Sequence, residues 1–255
     1  MSYPTPFNIA TGSADGWRSI KIEGRNTAVG QVFVPVTPSG VYRTPQAGDQ
    51  VQLRVRAGGN ANDTATGTGA REIEIYGIDV NGLEVTDTIP TAGSGASIAT
   101  TQFFIRILSA RVSKSGRYAN QTAASHFADI VIESTTGELW ASIPLNGFGE
   151  SISRIGAFTV PFDHEAFLIG LRINASAGKT VDAILFKREN ILQTAVPYSP
   201  MVVITSVFNI TGFEDLSYDA PLYLPPLTDV GVMAVINTQT ARVGCGIGLL
   251  LRRVR

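Results

Sequence analysis

The chain has very little with which to do covalent or metal chemistry. It holds one cysteine, Cys245, in 255 residues, so no disulfide can form within it and no thiolate-built metal site is available. The two histidines, His126 and His164, lie far apart and neither has a partner at ligand spacing. No metal and no other cofactor is expected. Charge is scarce too: Asp, Glu, Lys and Arg make up 16% of the residues, against about 25% in an average soluble domain. The net charge of −1 excludes a bulk attraction to polyanions. Basic residues never cluster beyond Arg252-Arg253, so nucleic acid is not an expected partner. Long apolar runs are also missing. The longest uncharged stretch, 190–213, contains Pro197 and Pro200 among many polar residues and cannot be a membrane helix. Met1-Ser2-Tyr3-Pro4 lacks the features of a secretory leader. The expectation is a chain of the cytoplasm, without membrane contact.

Lysine is the last shortage, with four Lys against 16 Arg. Lys is strongly hydrated and depleted at interfaces, whereas Arg is enriched there; a GC-rich genome, which encodes Arg more readily, is the alternative account of the bias. With a mean hydropathy of +0.15, this composition suits a chain that hides part of its surface against neighbours.

What the sequence does have is alternation with a period of two. Val51-Gln52-Leu53-Arg54-Val55-Arg56 puts three aliphatics on one face, and Arg71-Glu72-Ile73-Glu74-Ile75-Tyr76 repeats the pattern with Ile73 and Ile75 inward. Asp79-Val80-Asn81-Gly82 follows, then Leu83-Glu84-Val85-Thr86. Asn-Gly supplies the positive φ angles of a tight turn, which marks a hairpin. Further strands are predicted near 31–36, 103–113, 128–133, 138–143, 155–160, 166–174, 181–188, 201–209, 230–237 and 241–251. Met201 to Val207 carries aliphatics on both faces and is predicted to lie centrally in a packed sheet. Helical periodicity is nearly absent, and only 118–127 could form a turn or two. Short strands broken by Gly, Pro, Asn and Asp predict an all-β fold, a β-sandwich or jelly roll with an extended N-terminal arm and very little helix.

Residues 1–50 carry the arm. Pro4, Pro6, Pro35, Pro38 and Pro45 punctuate them, and their apolar residues are scattered. A β-sandwich portion over 51–145 and a second over 146–255 follow, with a break near Asn146-Gly147-Phe148-Gly149; one continuous sandwich is the alternative. The arm holds Tyr3, Phe7, Trp17 and Phe33, side chains each worth about 1.5–3 kcal/mol when buried. With Arg252 and Arg253 at the other end of the chain, they are the candidate assembly-interface residues. The strands from Val51 onward are expected to fold without residues 1–45.

Each chemical motif has a plainer explanation. Ala177-Gly178-Lys179-Thr180 ends like a phosphate-binding loop, but Ile173 stands where the first glycine is needed. Gly244-Cys245-Gly246-Ile247-Gly248 lies inside an alternating strand, with Cys245, Ile247, Leu249 and Leu251 on one face, and lacks the helix of a dinucleotide site. Ser125-His126 with Asp129 gathers the residue types of a catalytic triad as sequence neighbours, which rarely converge on one substrate atom. Glu72 and Glu74 read as a solvated strand face, His164 as a loop histidine, and Asp79 to Gly82 as a turn without the remaining calcium ligands. No enzyme is expected.

One set of segments resembles a known family. Gly69-Ala70-Arg71-Glu72-Ile73-Glu74-Ile75-Tyr76-Gly77-Ile78-Asp79, then Asn81-Gly82, then Thr100-Thr101-Gln102-Phe103-Phe104-Ile105-Arg106-Ile107, is similar to virion structural proteins of tailed bacteriophages, marine ones in particular. Ile155 to Glu189 and Leu227-Thr228-Asp229-Val230 extend the resemblance. The chain departs from it at Ala157-Phe158-Thr159-Val160-Pro161-Phe162-Asp163, where Phe and Asp replace small residues. The resemblance implies a β-rich part of the particle: a capsid decoration or cement protein, or else a head fibre, a tail part or a receptor- or carbohydrate-binding sandwich. It implies assembly in the host bacterial cytoplasm into the virion. The partners expected are further copies of the chain, as a homotrimer, and the major capsid protein or other virion proteins. For sugar binding the candidate aromatics are Trp140, Tyr198, Tyr218 and Tyr223.

Overall fold

Alternation in the sequence becomes strand almost everywhere it occurs. The structure is a computed structural model and describes residues 4–42, 50–120, 123–145, 150–193, 195–237 and 239–254. These form a short helix, α1 (Pro6–Ala10), and strands β1 (Trp17–Val29), β2 (Val34–Pro35), β3 (Leu53–Val55), β4 (Ala70–Ile78) and β5 (Glu84–Pro90). Then come β6 (Arg106–Ser115), β7 (Ile130–Ser134), β8 (Leu139–Ile143), β9 (Ala157–Thr159) and β10 (His164–Ala175). The last are β11 (Val181–Arg188), β12 (Val202–Ile210), β13 (Phe213–Leu224), β14 (Asp229–Val235) and β15 (Ala241–Arg253). The fold is all-β.

The chain forms two units, one of Met1–Val36 with Gly156–Arg255 and the other of Thr37–Ile155. The first has a sheet ordered β1-β15-β10-β13 and another ordered β2-β14-β11-β12, with β9 also on β14. Strands β2 and β9 lie end to end along one side of β14. Val34 and Pro35 face Ala234 and Met233, while Ala157, Phe158 and Thr159 face Gly231, Val230 and Asp229. Between them the Val36 N–H donates to the Val232 carbonyl (2.9 Å) and the Val232 N–H to the Gly156 carbonyl (2.9 Å). The Gly156 N–H closes the joint on the Val36 carbonyl at 3.0 Å. So β2 and β9 are halves of one strand, and Thr37–Ile155 is spliced into its middle.

Counted that way, the unit has eight strands. The first pairs with the eighth, the second with the seventh, the third with the sixth and the fourth with the fifth, all antiparallel. A ribbon of such pairs rolled into two sheets is a jelly roll. Its core is aliphatic, with Leu168, Leu171, Ile173, Leu185, Val232, Ile247, Leu249 and Leu251 all buried. The splice requires glycine at two places. A Cβ on Gly24 would sit 2.4 Å from the Gly156 Cα and the Val36 oxygen, and one on Gly156 would sit 2.5 Å from the Cys245 sulfur.

The inserted unit has two antiparallel three-stranded sheets, β5-β4-β6 and β3-β7-β8. Ile73 and Ile75 point inward as expected. The β4–β5 hairpin turns at Asn81-Gly82, where Asp79 Oδ1 accepts the Asn81 and Leu83 N–H groups at 2.9 Å and Gly82 has φ 78°.

Four expectations are revised. Residues 17–29 belong to a sheet, not to an extended arm: β1 runs along β15 from Trp17 opposite Arg252 to Val29 opposite Ala241. The helix lies at α1, where Thr5 Oγ1 caps the Asn8 N–H at 3.3 Å, and the described residues of 118–127 are not helical. A strand the sequence reading passed over, β13, spans Asp and Pro residues and bulges opposite Leu168–Gly170 of β10. Finally, β12 lies at a sheet edge and not at a sheet centre. The expected break at 146–149 lies outside the described residues; the two units divide at 36/37 and 155/156.

Candidate assembly surfaces

In β15 the inward Cys245, Ile247, Leu249 and Leu251 leave Gly244, Gly246, Gly248, Leu250 and Arg252 on the outer face of the four-stranded sheet. Trp17, Arg252 and Glu165 form one cross-strand row over β1, β15 and β10. Leu250, Phe167 and Tyr223 form the next row over β15, β10 and β13. The Arg252 guanidinium ion-pairs with Glu165 and lies 5.5 Å from the Trp17 ring centre and 6.0 Å from that of Phe167. Trp17 stacks on Phe167 at 5.5 Å, and Phe167 meets Tyr223 at 5.8 Å. Burial and the adjoining Glu165 carboxylate, to which it is hydrogen-bonded, raise the pKa of the Tyr223 hydroxyl above its ordinary value. Aromatic pairs and cation–π contacts of this kind contribute about 0.5–1.5 kcal/mol each. Together they tie all four strands at one end of the sheet.

Of the six residues singled out from the sequence, the fold brings Trp17 and Arg252 together. Arg253 reaches Asp163 (Nε–Oδ2 3.6 Å), whose other oxygen holds His164 Nδ1 at 2.8 Å. Phe7 on α1 is 74% exposed, and Phe33, between β1 and β2, is also exposed. Tyr3 lies outside the described residues.

A second surface went unrecognised in the sequence. Among the described residues β12 has a strand neighbour in β11 alone, and β13 in β10 alone, so both are open sheet edges. Met201, Val202, Val203, Phe208, Phe213 and Tyr223 are exposed along them, with Phe208 and Phe213 each at 64%. A hydrogen bond between the Thr205 and Tyr218 hydroxyls (2.9 Å) ties the two strands side by side. The signal was present: Val202 to Ile210 contains no charge, proline or glycine. A two-sided apolar strand lies either between two strands of its own sheet or at an edge that something else covers.

The other residues singled out in the sequence have local partners. Ser125 and His126 are both buried, with Oγ 3.0 Å from Nδ1, and Ser151 Oγ lies 2.8 Å from Ser125 Oγ. Asp129 instead accepts the Leu145 N–H. Burial lowers the His126 pKa. Glu72 bonds Ser113 and Lys114, and Glu74 bonds Arg111, at 2.8–2.9 Å on the outer face of β4. Burial pushes the Cys245 thiol up to about 12, out of the range of a nucleophile. Among the described residues no group of His, Cys, Asp and Glu could hold a metal ion, and no helix is long and apolar enough to cross a membrane.

The sequence matches no family model and no curated protein. Among solved structures the chain is similar to that of infectious bursal disease virus, Gx strain. Sequence identity is 10% and the TM-score 0.23, over 94% of this chain and 77% of the other. The VP2 subviral particle of the same virus gives 11% identity and a TM-score of 0.20, over 99% and 83%. Superpositions this loose do not establish a common fold.

Proposed function

We propose that this chain is a structural, non-enzymatic protein of a bacteriophage virion, a capsid-decorating cement protein that acts as a homotrimer and bridges joints between capsomers. The observation that carries the reading is β12, an uncharged strand left open at a sheet edge with its apolar side chains in solvent. Proteins that stay single blunt such edges with Lys, Pro or bulges; β12 bulges twice against β11 but has no Lys and no Pro to keep another chain off its apolar side chains. A shell component covers them with neighbours, and each ~100 Å² of apolar contact adds about 2.5 kcal/mol before association costs. The scarcity of charge and of Lys supports the same reading. So does the resemblance, whose segments fall on β4, its turn, the start of β6, β9 to β11 and the start of β14, framework rather than a site.

The test is the place and copy number of the protein in purified particles, by electron cryomicroscopy and quantitative mass spectrometry. Copies in the hundreds on the shell are expected, and single digits or low teens would point to a tail or collar. The alternative, a fibre or sugar-binding sandwich, would use Tyr198 and Tyr223, exposed members of the four candidate aromatics, whereas Trp140 is buried. Saturable binding on a glycan array would favour it.

A further inference from the structure

The jelly roll has two unlike margins. On one, β1 carries Arg18, Lys21 and Arg25 against a single acid, Glu23, which Lys21 ion-pairs within the strand (2.8 Å), so the margin keeps an excess of positive charge. On the other, β13 carries Glu214, Asp215 and Asp219 and no base, beside the uncharged β12. In the sheet order β1 and β13 are the opposite edges. Both margins also expose large apolar side chains: Val32 (69%) and Phe33 follow β1, and Phe208 and Phe213 lie on β12 and β13.

We infer that copies of this chain join head to tail, the β12–β13 margin of one jelly roll seated on the β1 margin of the next. The inference rests on the self-association proposed above and names its surface. A two-fold contact between like margins would set the acids of β13 against one another, whereas the head-to-tail contact sets them against Lys21 and Arg25. Unlike surfaces on opposite margins generate a ring when the rotation closes, which suits a trimer. The bulge and Pro221 interrupt β13 as a template for continuous strand pairing. Apolar side chains therefore supply the contact area, and the charges set orientation and partner.

The test uses the full chain in native mass spectrometry and sedimentation, comparing wild type with E214K/D219K, K21E/R25E and all four substitutions together. Asp215 is left alone because its pair with Arg172 (3.0 Å) joins β13 to β10, whereas the Lys21–Glu23 pair (2.8 Å) lies within β1 and joins no two strands. Circular dichroism checks that each variant is folded, and E214Q/D219N stands in for E214K/D219K if that variant does not fold. The expected result is a wild-type trimer, at least tenfold weaker assembly in either one-margin variant, and recovery of the trimer in the fourfold variant. A wild-type trimer that both one-margin variants retain overturns the inference but not the function proposed above. So does a folded fourfold variant that stays monomeric. A monomeric wild type overturns the homotrimer and the inference together.

Discussion

Strands β1, β10, β13 and β15 of the jelly roll run for 12 or 13 residues, whereas β3, β7 and β8 of the inserted unit have three to five. Long strands satisfy their own backbone by ladder pairing, and the jelly roll buries few polar side chains, Asn26, Thr159, Glu165, Thr228 and Asp229. Short strands leave more N–H and C=O groups in loops, and buried ones need partners. In Thr37–Ile155 side chains fill that need. Thr100 Oγ1 accepts the Leu53 N–H (2.9 Å), Ser97 Oγ accepts that of Val55 (2.8 Å), and the buried Asp63 accepts those of Ala70 (2.8 Å) and Phe127 (3.1 Å). The edges differ as well. Glu84, Asp87 and Pro90 mark β5, and Arg111 and Lys114 mark β6, whereas β12 has no such residue. The β5-β4-β6 sheet of the insert guards both its edges, whereas β12 of the jelly roll is left without charge or proline.

The largest test of this contrast is removal of residues 1–29. It strips β1 from β15 and takes Ile22 and Val29 from the core, so the jelly roll is expected to unfold. The insert, produced alone as 37–155, is expected to fold. Circular dichroism and hydrogen exchange on both fragments check this; a folded, soluble 30–255 would restore the arm expected from the sequence.

Asp63→Ala comes next. It leaves the Ala70 and Phe127 N–H groups without their acceptor, at about 1–3 kcal/mol for each. The loss should appear as faster hydrogen exchange in 37–155 and not in β10, β14 or β15. A mutation at the splice should do the reverse. Gly24→Ala drives a Cβ into backbone at 2.4 Å, and overpacking of this kind costs about 1–3 kcal/mol or more. Here the jelly-roll amides should lose protection and those of the insert keep it.

The smallest effect is one of pH. His126 is buried in the insert with its pKa below the ordinary 6.5, because burial disfavours the cation more than the Pro144 carbonyl and the Asp63 and Asp129 charges favour it. Its contribution is therefore complete above about pH 6.5. It falls as acid protonates the unfolded chain, and the loss levels off once the folded pKa is passed. Urea titrations between pH 7 and 5 should show the insert weakening over this window, and His126→Gln should remove that part of the slope.

Much of the framework was legible because alternation survives wherever a strand buries one face, as at Ile73 and Ile75 or Cys245 to Leu251. Strand β1 was not legible because Gly24 ends the alternation of Ser19-Ile20-Lys21-Ile22-Glu23, although that glycine is what lets the strand pass Gly156. Strand β13 was obscured because its bulge shifts the period between Ser217 and Leu222. The splice was not legible, since Val36 and Gly156 meet only in space. Nor was the position of β12, because periodicity reports which faces are apolar and not which neighbour covers them.

The most direct measurement is hydrogen exchange on the wild-type protein, comparing dilute samples with concentrations at which it assembles. Amides of β1, β12 and β13 should gain protection on assembly, while those of β4 to β6 stay unchanged. An assembled form in which β12 exchanges as fast as in the dilute chain would contradict the account.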